Sequence, residues 1–136
     1  MSTTTTLRYG FERTLADASF EEARARVTAA LQAEGFGVLT EIDVAATLKK
    51  KLELTFRPYA ILGACNPALA SKALAAEPHV GLLLPCNVVV QEAPTGRGVV
   101  VSILDPMAMF KFADNPSLAP VAADAEARLR RVMDAL

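Results

Sequence analysis

Two apolar runs joined by one short turn constrain this chain more than any other feature of it. Val80 to Gln91 reads as a strand through a core, Ala93-Pro94-Thr95-Gly96 as a turn, and Gly98 to Leu104 as the returning strand. A hairpin imposes antiparallel pairing, whereas parallel neighbours need a long crossover between them. The rest of the chain must therefore be fitted around an antiparallel sheet with one face to cover.

The other elements follow from local periodicity. Leu7, Tyr9 and Phe11 alternate with Arg8, Gly10 and Glu12, the pattern of a half-buried strand. Ser19 with Glu22 makes a capping box that opens a helix. Its apolar stripe is Phe20, Ala23, Val27, Ala30 and Leu31, and Gly35 closes it. Phe36, Val38, Thr40 and Ile42 give a second strand, after which Asp43 caps a short helix carrying Val44, Leu48 and Leu52 on one side. A third strand spans Tyr59 to Ala64 and stops at Asn66-Pro67, an N-cap followed by the residue best suited to a first helical position. Ala68 to Ala76 continue as a helix ended by Pro78, and Asp105-Pro106 breaks the last strand. Asn115, Pro116 and Ser117 open a final helix with Leu118, Val121, Ala125, Leu129, Val132 and Leu136 on one face. The prediction is an α+β single domain over residues 1–136. It has a mainly antiparallel sheet, helices on one face, short extra helices between strands, and a loose tail over residues 1–5.

Charge and composition exclude several functions. With 14 Lys+Arg against 15 Asp+Glu, the chain lacks the cationic excess of a nucleic-acid binder. The run Lys49-Lys50-Lys51 is closely followed by Glu53 and reads as a solvated helix face. No apolar stretch reaches the ~20 residues of a membrane span, and Met1 to Thr6 lack the regions of a signal peptide. A cytoplasmic location is the expectation, and there Cys65 and Cys86 are thiols rather than a structural disulfide. A single histidine, His79, cannot build a multi-His metal site, and its place beside Pro78 reads as surface or capping. Gly35-Phe36-Gly37 and Gly96-Arg97-Gly98 are too short for a phosphate loop, and a Ser-x-Gly nucleophile elbow is absent.

Both cysteines precede an asparagine, in Gly63-Ala64-Cys65-Asn66-Pro67 and Leu84-Pro85-Cys86-Asn87-Val88, although the chain holds few asparagines. Cys65 falls at a strand end before a helix N-terminus, where unpaired N–H groups favour a thiolate. Cys86 is in strand phase with Leu82, Leu84, Val88 and Val90 and should face inward. Three readings stand. The thiols are buried small residues whose asparagines serve caps and turns. They form a redox-responsive pair, provided their strands are neighbours. They hold a soft metal with Met107 or Met109. Candidate ligand-binding residues are Cys65, Asn66, Cys86, Asn87 and Asp105, with the cofactor and catalytic residues unknown. The enzymatic alternative makes Cys65 a nucleophile with Asp105 or Glu41 moving protons. Otherwise Glu41 faces solvent on the phase opposite Val38 and Ile42, and Arg57 and Tyr59 line a surface loop or an anion pocket. Met107, Met109, Phe110 and Phe112 make a flap, an interface or core.

Five motifs in fixed order also resemble a known family. They are Gly35-Phe36-Gly37-Val38-Leu39-Thr40-Glu41-Ile42-Asp43, Thr47-Leu48-Lys49-Lys50-Lys51, Tyr59 to Pro67, Leu82 to Val90, and Asp105-Pro106-Met107-Ala108-Met109. The chain resembles the domain of unknown function 302 over nearly its whole length, departing where Leu52-Glu53 stands for an expected Leu-Gly. The resemblance implies a β-α-β(4)-α order like that of TATA-binding-protein halves, and a homodimer. It implies no activity, and the likeness to a DNA-binding fold carries no weight in a near-neutral chain. The matching motif residues are Cys65, Asn66, Pro67, Pro85, Cys86, Asn87, Asp105 and Pro106. Function therefore reads as a small binding or accessory module, linked through its thiols to redox or a soft metal, with a small-molecule ligand. The alternatives are a thiol enzyme or a purely structural homodimer.

Overall fold

A computed structural model describes residues 4–136. Six antiparallel strands form one sheet: β1 (Thr5–Thr6), β2 (Gly10–Leu15), β3 (Gly37–Asp43), β4 (Tyr59–Cys65), β5 (Cys86–Glu92) and β6 (Val99–Leu104). Their spatial order is β1-β2-β6-β5-β4-β3, so the first long strand lies against the last. The helices are α1 (Phe20–Ala33), α2 (Val44–Leu52), α3 (Pro67–Ala76), α4 (Pro106–Ala113) and α5 (Ala119–Asp134). The single α+β domain and its β-α-β(4)-α frame are as the sequence implies. Of the expected loose tail, residues 1–3 lie outside the described residues, and Thr5 pairs with Glu12 of β2.

The core is the sheet face under α1 and α5. Phe11, Leu62, Val88, Val90, Val101 and Ile103 from the strands meet Val27, Leu31, Leu129 and Met133 from the helices, all essentially without exposed surface. Burying side chains of this size contributes roughly 1.5–3 kcal/mol each, which makes this layer the main source of stability. The capping box forms as predicted: the Glu22 N–H donates to Ser19 Oγ at 3.1 Å and the Ser19 N–H to Glu22 Oε1 at 3.3 Å. Gly35 takes φ 84° just past the helix end.

Four local expectations are corrected. The strand expected from Leu7 is β2, which begins only at Gly10 and leaves Tyr9 65 % exposed. Residues 80–85 are not strand: Pro78–Leu83 form a 3-10 helix, and β5 starts only at Cys86. Pro85 has no N–H for a ladder, and Leu82, placed inward by strand phase, is 85 % exposed. The Met107–Phe112 cluster is helix α4, and Pro116–Leu118 form a 3-10 turn before α5. In β3 the register shifts between Val38 and Thr40. That bulge turns Glu41 to pair with buried Leu62, in phase with Val38 rather than opposite it; the residue is exposed as expected, and Arg24 Nη1 of α1 donates to both of its carboxylate oxygens at 2.5 and 2.8 Å.

Candidate functional site

One end of the molecule is built from helix starts. The residue pairs Asn66-Pro67, Asp105-Pro106 and Asn115-Pro116 use one device: a side-chain oxygen accepts from the second or third N–H, and proline occupies a position that needs no donor. These caps pin α3, α4 and the turn before α5 around the ends of β4, β5 and β6. A satellite core of Ala73, Val80 and Leu118 forms between them, with Phe110 and Val121 against it. Asn115 ties it together, donating to the Ala76 carbonyl at 3.2 Å and to Glu77 Oε1 at 3.1 Å. The Asn115 hydrogen bond, followed by that of the His79 backbone, lowers the Glu77 pKa. His79 itself is a surface residue with Nδ1 3.4 Å from Glu77, in the capping neighbourhood expected of it.

Between the satellite and the main core the packing does not close. A cavity of about 100 Å³ remains, bounded by the ends of β4, β5 and β6, α3, the Pro78–Leu83 turn, α4 and α5. Its wall is carbon and sulfur. Among the described residues, Asn66 is the only lining residue with an oxygen- or nitrogen-bearing side chain. Cys65, Cys86 and Met109 are among the residues that line the cavity.

Cys86 opposes Ala64 across the β4–β5 ladder, so Cys65 is its diagonal neighbour. The strands of the two cysteines are adjacent, but strand alternation sends the two Cβ atoms to opposite faces. Both thiols are free. Cys86 is half-buried as a residue, yet its thiol is dry: burial, and then the charge of Cys65, push its pKa up to about 11. A thiol held that high is protonated at neutral pH and is a poor nucleophile.

The remaining candidates separate from this cavity. Asn66 is buried and engaged at both ends. Its Oδ1 accepts from the Leu69 N–H at 3.2 Å, and its Nδ2 donates to the Glu34 carbonyl at 3.3 Å. A Cβ at Gly35 would stand 2.9 Å from that Nδ2, which leaves the position to glycine on steric as well as φ grounds. Asn87 is exposed and pairs with Gly63, on the face opposite Cys86. Asp105 caps α4 through the Met107 N–H at 2.9 Å and does not line the cavity. Glu41 is held by Arg24, so neither proposed proton carrier stands beside Cys65. Arg57 is engaged too, donating to Gln91 Oε1 at 3.0 and 2.8 Å and lying 4.5 Å from the Phe56 ring centre. Sequence reasoning missed the cavity's apolar members, Leu69, Val80 and Phe110 among them, because apolar residues give no signal that distinguishes a wall from a filled core.

Among the described residues no three His, Cys, Asp or Glu side chains are grouped to hold a metal, and no helix is long and apolar enough to cross a membrane. No functionally curated protein matches the sequence. Among solved structures, the chain is similar to an uncharacterized conserved DUF302 protein from Bacillus stearothermophilus. The two share 31 % identity with a TM-score of 0.85, over 95 % of this chain and 98 % of that one. A family model described as domain of unknown function DUF302 matches residues 11–136. On a match of that extent, joined to a shared fold, the chain belongs to the DUF302 family.

Proposed function

We propose that this protein is a small-ligand-binding module whose site is the cavity that carries Cys65 and Cys86 in its wall. The observation behind this reading is the cavity itself, a space of about 100 Å³ whose wall is almost wholly apolar. That volume is of the same order as the ~150 Å³ apolar cavity that takes up benzene. With Asn66 engaged, the wall offers no free charged or amide partner, so the occupant is one satisfied by apolar and sulfur contacts.

Toluene tests the reading. Methyl NMR shifts on titration should be confined to Leu69, Val80, Leu118 and their neighbours. Ala122→Leu, which fills the cavity from a helical position at little propensity cost, should abolish them while leaving the fold intact. Shifts spread over the whole core, or uptake unchanged in Ala122→Leu, would reject the site.

The homodimer implied by the family resemblance has a surface to use. On the sheet face away from α1 and α5, Ile42 is 50 % exposed, and Ile61, Val89 and Val100 are half-buried. Sedimentation equilibrium of the protein and of Ile42→Lys reads this out. A concentration-dependent dimer weakened by the charge supports that face, and a monomer at all concentrations removes the dimer.

A further inference from the structure

The sheet face turned away from α1 and α5 carries two charges that find no ionic partner in their own chain. Strand registers set Glu12, Ser102 and Val89 side by side in one row across β2, β6 and β5. The next row runs Val100, Gln91, Tyr59 across β6, β5 and β4. These residues alternate with Phe11, Val88, Val90 and Val101, which are buried under the helices, so all six point the other way, and none of the six is buried. The middle of this face is apolar, made by Val89 and Val100 on neighbouring strands.

The two charges stand on either side of that middle. Toward β2, Glu12 Oε2 accepts from Ser102 Oγ at 3.3 Å. Toward β4, Arg57 reaches onto the face, donating from Nε and Nη2 to Gln91 Oε1. Its guanidinium also lies against the rings of Phe56 and Tyr59. Among the described residues, neither Glu12 nor Arg57 belongs to an ion pair. An amide and two rings hold the Arg57 charge in one place, so little side-chain freedom remains to be lost when an acid meets it.

The two positions are related in a way that suits a second copy of the same face. Glu12 sits beside β6 and Arg57 beside β5, so the point midway between them falls between those strands, over Val89 and Val100. A two-fold axis lying in the face at that point, perpendicular to the line joining the two charges, exchanges their positions. Such self-complementarity is what an isologous interface requires.

We infer that a second copy of this chain docks on this face about that axis, packing Val89 and Val100 around the two-fold and pairing Arg57 of each copy with Glu12 of the other. This rests on the sheet-face dimer put forward above and fixes its orientation. The apolar middle supplies affinity, while the two symmetric ion pairs at its sides select one arrangement and reject those that bring like charges together.

Sedimentation equilibrium of the full chain with its charges exchanged tests the pairing. Arg57→Glu and Glu12→Arg each set two like-charged contacts across the axis and should raise the dimer dissociation constant by at least ~10-fold. The double variant remakes both pairs with their signs reversed and should return to within ~3-fold of the parent. Glu12→Gln keeps an acceptor for Ser102 and removes only the charge, so it should weaken the dimer by about 3-fold. Lys72→Glu, on the exposed side of α3, should match the parent. A dimer indifferent to the single exchanges, or weakened by each with no recovery in the double variant, overturns the pairing. If that dimer is still weakened by Ile42→Lys, the sheet-face reading stands without it. A parent chain that is monomeric at all concentrations removes both.

Discussion

Substitution of Asn66 separates a structural amide from a ligand-binding one. Its Oδ1 satisfies the Leu69 N–H, a buried donor in the first turn of α3 with no intrahelical acceptor, and its Nδ2 reaches the Glu34 carbonyl at the end of α1. Losing an N-cap costs about 1 kcal/mol, toward 2 when the orphaned donor is buried. The second hydrogen bond adds at most about 1 kcal/mol, because Arg128 Nη1 also donates to the Glu34 carbonyl at 3.3 Å and keeps it from being orphaned. Asn66→Ala should therefore destabilise the protein by about 2 kcal/mol, lowering the urea midpoint by roughly 1 M at a typical m-value of ~2 kcal/mol/M. Asn66→Ser retains a capping oxygen and should recover about half of the loss. Asn66→Asp retains the cap with favourable charge at the helix start but sets a carboxylate against the Glu34 carbonyl, and should fall between them. Urea unfolding at constant m-value decides the order. A stability for Asn66→Ala within ~0.5 kcal/mol of the parent, or Asn66→Ser as damaging as Asn66→Ala, would refute the capping argument. Toluene uptake lost in Asn66→Ser at undiminished stability would return the amide to the ligand.

Three further predictions follow from individual positions. With its pKa raised to about 11, native Cys86 should be alkylated by iodoacetamide at pH 8 at least ~100-fold more slowly than in urea, and equal rates would refute its burial. Because the folded pKa lies above the unfolded one, that burial stabilises fully below pH ~8.5 and is lost as pH rises toward 11. The loss is about 3 kcal/mol, and the midpoint of Cys86→Ala should lack this part of the decline. Glu53 sits in the left-handed region, φ 53° and ψ 27°, at the end of α2, so Glu53→Gly should raise stability by about 0.5–1 kcal/mol, and no gain would contradict the helix end described. A Cβ at Gly63 would collide with Thr40 Oγ1 and stand 2.8 Å from Pro85 Cγ, so Gly63→Ala should cost about 1–3 kcal/mol by thermal melting, with only part recovered in the double variant with Thr40→Ser.

What the sequence disclosed was what is made locally. Ser19 and Glu22, Asp43, and Asn66-Pro67 are read correctly because each cap joins residues two or three apart, and the hydrogen bond is implicit in the spacing. Glu53 was visible too, as the one place where a glycine was expected from the family pattern and a left-handed residue stands. Residues 80–84 misled because Val80, Leu82 and Leu84 alternate like a strand, and only the flanking prolines argued otherwise. Helix α4 carries apolar residues around its circumference, with Phe112 78 % exposed and Met109 on the cavity, so no stripe marks it. The β3 bulge has no glycine to announce it. The cavity is the least legible feature, since its wall is assembled from segments between Phe36 and Ala125 that meet only in the finished fold. The Cys-Asn pairs did mark the right end of the molecule, but the shared asparagines have unlike fates: one is a buried tie and the other lies in solvent.

The placement of β2 beside β6 has a consequence for how this chain is made. Apart from the two-residue β1, Gly10 to Leu15 find their strand partners in Val99 to Leu104, and Arg13 donates to the Met133 carbonyl at 2.8 Å at the end of α5. At translation rates of ~5–20 residues per second, β2 waits roughly 5–20 s for the strand that covers its edge. Throughout that interval Phe11 lacks the β6 neighbours, Ile103 among them, that flank it in the finished sheet. Long-range pairing of this kind slows folding and lengthens exposure of sticky surface. The edge of β2 that faces β6 is thus among the last parts of this sheet to be covered as the chain is made.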